Sequence, residues 1–218
     1  MISIPEGLSD TLALLPGPEL RSGRYCKHVT FLPSRKNGGA VACETLLEAD
    51  FCLELERLTF ITAYEAQPFT LTLKKGRKRY TPDFAAKLRD GTIVLYEIKP
   101  DNALNDALTY ERLCFFRSLF AECGYALECV RESQFRHPIK TLNLQILYQQ
   151  SMGATRQTAS VVNTLINATP QKKLSVQELI ADQASRPDIA YAVFYRLVLA
   201  NLFRPFSLNT QLRCRKEQ

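Results

Sequence analysis

Asp83, Glu97 and Lys99 are the residues of this chain whose types and spacing can do chemistry. They lie in Tyr80-Thr81-Pro82-Asp83-Phe84 and in Tyr96-Glu97-Ile98-Lys99, with an Asp90-Gly91 turn between the two stretches. Side chains alternate faces along a strand, so Glu97 and Lys99 project to one side and Ile98 to the other. Pairing across the Asp90-Gly91 hairpin brings Asp83 back beside the end of the strand that carries them. Two carboxylates and an ammonium then converge at one sheet edge. Hard divalent cations such as Mg²⁺, with Mn²⁺ as substitute, take oxygen ligands and usually keep several waters. The carboxylate pair with the backbone carbonyl of Ile98 supplies such an open site. A metal held there lowers the pKa of its water and stabilises charge on a phosphate, while Lys99 positions the attacking water. This is the chemistry of phosphodiester hydrolysis. No Cys-His or Ser-His pair lies nearby to suggest acyl transfer.

Each piece alone has a plainer reading. An Asp after Pro is often a turn residue, and a Glu-x-Lys on a strand is often a solvated face. Together, 14 residues apart with a hairpin between them, they are much more specific. The strand core Ile93–Tyr96 is apolar and the charges gather at its end, whereas a solvated face spreads its polar positions.

The elements that must position these groups follow from turn chemistry and periodicity. Residues 1–40 carry several prolines and glycines and predict a loop-rich arm with one strand at Val29–Leu32. Val41 to Leu58 lacks Gly and Pro, and Leu47, Phe51, Leu55 and Leu58 recur at helical spacing, which predicts a helix. Strands are expected at Pro68–Leu73, Arg79–Leu88 and Thr92–Ile98. A long helix is expected from Asn102 to Cys123, ended by Gly124, and another strand at Tyr125–Arg131. Three helices are then predicted, near Thr155–Asn167, after Ser175 with Glu178 in a capping box, and at Asp188–Phe203. A ribbon at Phe206–Arg213 completes a winged-helix pattern. The expected fold class is α/β, with an endonuclease domain over 41–150 and a winged-helix-like, mainly α domain over 151–218.

Composition bounds the function. The 218 residues are 46% hydrophobic and 23% charged, as in a globular protein. Residues 151–218 hold 9 basic and 4 acidic residues, against 19 and 18 in residues 1–150, so the tail carries nearly all the excess of positive charge. Such a module suits an anionic partner, although a solvated basic surface has the same composition. Arg196, Arg204, Arg213 and Arg215 in the tail, and Lys74, Lys75, Arg77, Lys78 and Arg79 in the hairpin beside the carboxylates, are candidate DNA contacts. The alternatives are a partner-docking module for the first set and a solubilising turn for the second. Seven cysteines without a Cys-x-x-Cys pair, and His28 and His137 as the only histidines, make neither a zinc site nor a closed disulfide framework. With no signal-peptide pattern and no apolar run of bilayer length, a reduced, cytoplasmic protein without a membrane partner is expected.

Pro82-Asp83…Glu97-Ile98-Lys99 resembles the core of the PD-(D/E)xK nuclease superfamily, with its restriction-endonuclease-like fold. The wider pattern is similar to the TnsA family: Glu44 to Phe51 on a helix, Glu65-Ala66-Gln67-Pro68-Phe69, then Tyr80 to Phe84 and Tyr96 to Pro100. TnsA is the endonuclease subunit of heteromeric cut-and-paste transposases, some of them CRISPR-associated. The resemblance implies cleavage of the non-transferred, 5′ strands in double-stranded DNA at transposon ends. It also implies a DDE-type partner, TnsB, at the 3′ ends and a regulating AAA+ ATPase, TnsC. It implies Glu48 as the helix glutamate that completes the metal site, with Glu44 its rival. Asp83 matches the bridging aspartate, Glu97 a second ligand and Lys99 the catalytic lysine. Gln67 is expected to shape the edge of the site through its amide. The rival readings are a stand-alone nuclease of the same superfamily, such as a restriction enzyme or junction resolvase, and a non-catalytic winged-helix DNA-binding adaptor.

Overall fold

A computed structural model describes residues 3–18, 29–75 and 78–215. His28 and Arg77 therefore lie outside the described residues, as does part of the expected N-terminal arm. Two compact units form, Met1–Phe135 and Arg136–Gln218.

The first unit opens with β1 (Leu12–Pro16), β2 (Thr30–Ser34) and β3 (Gly39–Cys43); β2 answers to the strand expected at Val29–Leu32, whereas β1 and β3 stand where loop or helix was expected. β2 and β3 pair as an antiparallel hairpin. Its turn is anchored by the fully buried Glu56, whose carboxylate accepts from the Ser34 hydroxyl and from the backbone N–H of Arg35 and Lys36. Long-range partners of this kind leave no trace in local turn composition. The helix expected from Val41 is likewise corrected: Val41–Cys43 is strand, and α1 runs Leu46–Arg57. Thr45 caps it, its hydroxyl accepting the Glu48 N–H at 3.1 Å, which sets the helix start. The Thr-x-x-Glu signature at Thr45 and Glu48 carries that signal.

β4 (Ile61–Ala66), β5 (Phe69–Leu73), β6 (Arg79–Tyr80), β7 (Phe84–Leu88) and β8 (Ile93–Lys99) follow. The expected strand Arg79–Leu88 is two strands, broken around Pro82, which cannot donate to a ladder. α2 (Ala107–Glu122) is capped by Asp106, whose carboxylate accepts the Thr109 N–H at 2.8 Å. Gly124 ends the turn after it at φ +83°, a region open to glycine at little cost. β9 (Ala126–Arg131) and the short α3 (Glu132–Phe135) complete the unit. The main sheet has the order β4-β7-β8-β9, with β8 and β9 parallel and the other pairs antiparallel. β1 joins β5 and β6 in a second, three-stranded sheet.

One face of the main sheet packs on α1. Phe51 sits at the centre of that layer, its ring 5.8 Å from Phe84, 5.4 Å from Tyr96 and 5.2 Å from Phe135. Truncating a buried aromatic of this kind costs about 3–5 kcal/mol. Phe116, Phe120 and Leu113 of α2 pack with Leu95 and Leu127 in a second cluster.

In the second unit, α4 (Pro138–Gln150), α5 (Arg156–Ala168), β10 (Lys173–Ser175), α6 (Val176–Ala181), α7 (Arg186–Phe194), β11 (Val198–Leu199) and β12 (Gln211–Cys214) follow in order. The strands form an antiparallel sheet of order β10-β12-β11. Residues 138–150 had been expected in the endonuclease domain, with no helix foreseen there; they form α4. It lies in this unit because its Tyr148 ring packs on Phe194 of α7 at 4.8 Å and its Asn143 clasps the last loop. The Asn143 amide donates to the carbonyls of Leu202 and Arg204 and accepts the Phe206 N–H. α7 stops at Phe194 rather than Phe203, because Arg196 adopts φ +59° and turns the chain into β11. The capping box of Ser175 and Glu178 is present as the sequence indicates. No helix among the described residues is long and apolar enough to cross a membrane.

Candidate active site

The β7–β8 ladder pairs Phe84 with Tyr96, and that register would continue by setting Pro82 opposite Ile98. The backbone pairing ends before that point. In its place the Asp83 side chain turns toward β8 and its Oδ2 accepts the Ile98 N–H at 2.6 Å. On the other side the Asp83 carbonyl accepts the Gln67 N–H at 2.9 Å, extending the β4–β7 pairing by one residue. Asp83 is thus held on both flanks by backbone, a rigid seat for a carboxylate.

Glu97 and Lys99 sit on β8 one strand period apart, as alternation requires. The Lys99 Nζ lies 2.5 Å from Glu97 Oε1, a close ion pair. Glu97 is 6% exposed, and its Oε2 is buried without a hydrogen-bond partner. The Tyr80 hydroxyl, also buried and without a partner, sits within the electrostatic reach of Glu97.

Burial first, and then the negative charge of Glu97, push the Asp83 carboxyl up to about 8. The Ile98 N–H and Lys99 pull it down, and Glu48 pushes it further up. Burial works against the Lys99 ammonium, but Glu97, its hydrogen bond and Asp83 together raise its pKa above the ordinary value. Two buried carboxylates that feel one another's charge, with the single ammonium of Lys99 paired to one of them, form a site short of positive charge.

That is the test any divalent cation must meet here, and the donor set meets it: hard carboxylate oxygens, one of them unsatisfied, at a strand end. The set is sparse. Among the described residues no group of three or more His, Cys, Asp or Glu side chains is drawn together tightly enough to hold a metal by itself. Asp83 and Glu97 therefore fit an ion that keeps several waters.

Glu48 is buried at 7% exposure in the first turn of α1, and Asp83 senses its charge. Its two oxygens are already used: Oε2 accepts the Glu44 N–H at 2.9 Å and Oε1 the Thr45 hydroxyl at 3.0 Å. Burial raises its pKa, with those two donors pulling the other way. Glu44 is not one turn earlier on the same helix, as expected; it precedes the cap Thr45. Gln67 adopts φ +45°, and its side-chain Oε1 is buried without a partner.

The basic hairpin residues divide. Lys74 Nζ donates to the Ser9 carbonyl at 2.6 Å, so it ties down the chain ahead of β1. Lys78 and Arg79 line a groove of about 610 Å³ with Arg112, Phe115 and Leu108 of α2. The Lys78 Nζ lies 4.7 Å from the Phe115 ring centre, and the Arg112 guanidinium lies 5.5 Å from that of Tyr80. Tyr80 spans the distance between this groove and Glu97, so the groove lies one tyrosine side chain from the carboxylates. Arg112 and Phe115 were missed because α2 follows the site in sequence by more than a strand and contributes only through folding. In the second unit, Arg213 and Arg215 line one groove together, and neither Arg196 nor Arg204 lines it.

Residues 60–132 match the family described as TnsA-like endonuclease N terminal. The match holds Asp83, Glu97 and Lys99 and begins after Glu48. Among curated proteins, none matches the chain.

Proposed function

We propose that this chain, whose residues 60–132 carry a TnsA-like endonuclease domain, is the DNA-cleaving subunit of a transposase and hydrolyses the non-transferred, 5′ strands at transposon ends. The observation that carries the chemistry is the junction at which Asp83 replaces Pro82 in the ladder, setting its carboxylate beside Glu97 and Lys99. Asp83 and Glu97, with the Ile98 carbonyl and Glu48 as further oxygen donors, would hold Mg²⁺ or Mn²⁺. A divalent ion there supplies an acidified water and offsets charge on the phosphate.

The protein's own groups do the rest. Asp83, fixed at two backbone points, would present its carboxylate to the ion with little reorganisation. Lys99 leaves its pairing with Glu97 to stabilise the charge developing on the phosphate and to align the attacking water. Lys78, Arg79 and Arg112 hold the flanking backbone. Lys75, and Arg77 by its place in the sequence alone, are proposed for the same role.

The second unit is read as a winged-helix-type module, supported by its α5-β10-α6-α7-β11-β12 order and its β10-β12-β11 sheet. A DDE transposase of the TnsB type and an AAA+ ATPase of the TnsC type are the proposed partners, in the cytoplasm and on the nucleoid once assembled. The test is strand cleavage at a transposon end with the neighbouring transposase present. Nicking at the 5′ strands by wild type and none by Asp83→Ala, with assembly retained, is expected. Cleavage by Asp83→Ala overturns the proposal. Efficient cutting of plain duplex by the isolated chain makes it a stand-alone nuclease instead.

A further inference from the structure

Leu108, Glu111, Arg112 and Phe115 share one face of α2, spaced i, i+3, i+4 and i+7. Another face of the helix carries Leu113, Phe116 and Phe120 into the core. Leu108 is 76% exposed and Phe115 40%, so two large apolar side chains stand in solvent outside that core. With Lys78 and Arg79 they line the groove of about 610 Å³ beside the carboxylate site. Its walls are tied together, because the Arg112 Nη2 donates to the Arg79 carbonyl at 3.2 Å and so joins α2 to β6. Phe115 is braced from within the helix: its ring centre lies 5.1 Å from that of Phe116, with 86° between the planes.

The lining mixes three chemistries. Phe115 and Leu108 offer apolar surface, Lys78, Arg79 and Arg112 offer positive charge, and Glu111 offers a carboxylate. A track for phosphates alone gains nothing from Glu111, which repels them. An apolar protein segment gains little from four charged side chains around two apolar ones, since the core of a protein interface is depleted of charge. A nucleotide uses all three. Its base has a π face, the amino groups on base edges donate to carboxylates, and its phosphates take cations.

We propose that this groove seats an unpaired base of a DNA strand, stacked on Phe115. Within a duplex a base keeps its faces against its neighbours and shows only its edges. An aromatic ring on the protein therefore serves a base that has left the stack. The Lys78 Nζ stands 4.7 Å from the centre of the Phe115 ring. Base stacking outweighs an exposed cation–π contact of that kind, and the displaced ammonium can then meet a phosphate next to the base. The place of the groove fits this role. Arg112 lies against the Tyr80 ring, and the Tyr80 hydroxyl is within the electrostatic reach of Glu97. The seated base then belongs to a nucleotide close to the phosphate being cut, and DNA with unpaired bases at that point is favoured over intact duplex.

The inference rests on the nuclease reading for the identity of the polymer and for the position beside the cut. The chain contains no tryptophan, so Phe115→Trp places a sole indole in the groove. Titrating this full-length variant in EDTA, where no metal-dependent cutting intervenes, with oligothymidylate should quench its fluorescence, and blunt duplex should not. Anisotropy with the same labelled probes gives the affinities. Phe115→Leu should bind oligothymidylate at least about fivefold more weakly, and blunt duplex within about twofold of wild type. Its slope of log affinity against log salt should stay at the wild-type value, because no charge is lost. Phe115→Trp should keep wild-type affinity for the single strand. Should Phe115→Leu fail to fold, the tryptophan signal decides alone. An unquenched tryptophan, or equal quenching by blunt duplex, overturns the proposal, as does wild-type single-strand affinity in Phe115→Leu. If wild type cuts transposon ends while these tests fail, only the base-binding groove is lost. If they succeed while no form cuts with Mg²⁺ and the transposase present, only the nuclease reading is lost.

Discussion

Asp83 and Ile98 are joined by a side-chain hydrogen bond at the position where the β7–β8 register would have placed the backbone of Pro82. The strand pair does not fray at this point. The carboxylate takes over the role of a ladder acceptor, and in doing so is carried to Glu97 and Lys99. Proline supplies the break, and the aspartate after it supplies both the repair and the carboxylate proposed to hold the ion.

This double role separates two aspartate variants. Asp83→Asn keeps an oxygen to accept the Ile98 N–H but removes a charge that burial and Glu97 both disfavour. It should abolish cleavage while leaving the metal-free protein more stable than wild type by about 1–3 kcal/mol in urea unfolding. Asp83→Ala loses the acceptor as well and should be less stable than Asp83→Asn.

Glu48 serves the helix start and is proposed to serve the metal. Glu48→Gln retains an acceptor for the Glu44 N–H or the Thr45 hydroxyl, so its unfolding free energy should change by less than about 1 kcal/mol. Its cleavage rate should fall about 10–100-fold, the range for a lost metal-site group. Wild-type cutting by Glu48→Gln confines Glu48 to capping.

Glu56 is a purely structural acid by the same reasoning. Its carboxylate also accepts the Tyr64 hydroxyl at 3.0 Å, in addition to the Ser34, Arg35 and Lys36 donors. Glu56→Ala leaves those donors buried without an acceptor and should cost about 2–4 kcal/mol in urea unfolding.

Lys36 gives a pH signature. Its Nζ donates to the carbonyls of Leu55 and Leu58 at the end of α1, and burial lowers its pKa from 10.5 to about 8, with Glu56 opposing. The folded value lies below the unfolded one, so between these two pH values the unfolded chain binds more protons. Stability from this group therefore rises as pH climbs from about 8 to about 10.5. Relative to Lys36→Met, wild type should gain about 1 kcal/mol over that window, allowing for the partial exposure of Lys36. The neutral amine still has two hydrogens for its two carbonyls. A flat difference between the two proteins over that range removes Lys36 as the source.

The sequence alone determined the local geometry of the candidate site and of several element ends. The Asp83, Glu97 and Lys99 set, the Asp90-Gly91 hairpin, the Gly124 stop and the Ser175 capping box all depend on neighbours in the chain, through strand alternation, turn preference and side-chain capping. Periodicity read the interior of α1 correctly and misplaced its start, because apolar spacing does not distinguish Val41–Cys43 in a strand from the same residues in a helix. Tertiary structure decided what depends on distant partners. The strands of the N-terminal arm owe their pairing to β5 and to Glu56, and α4 owes its place in the second unit to Asn143 and Phe194. The same holds for the cations. Charge in a sequence is a sum, whereas its placement depends on folding, and only β10–β12 pairing brought Lys173 and Arg213 face to face.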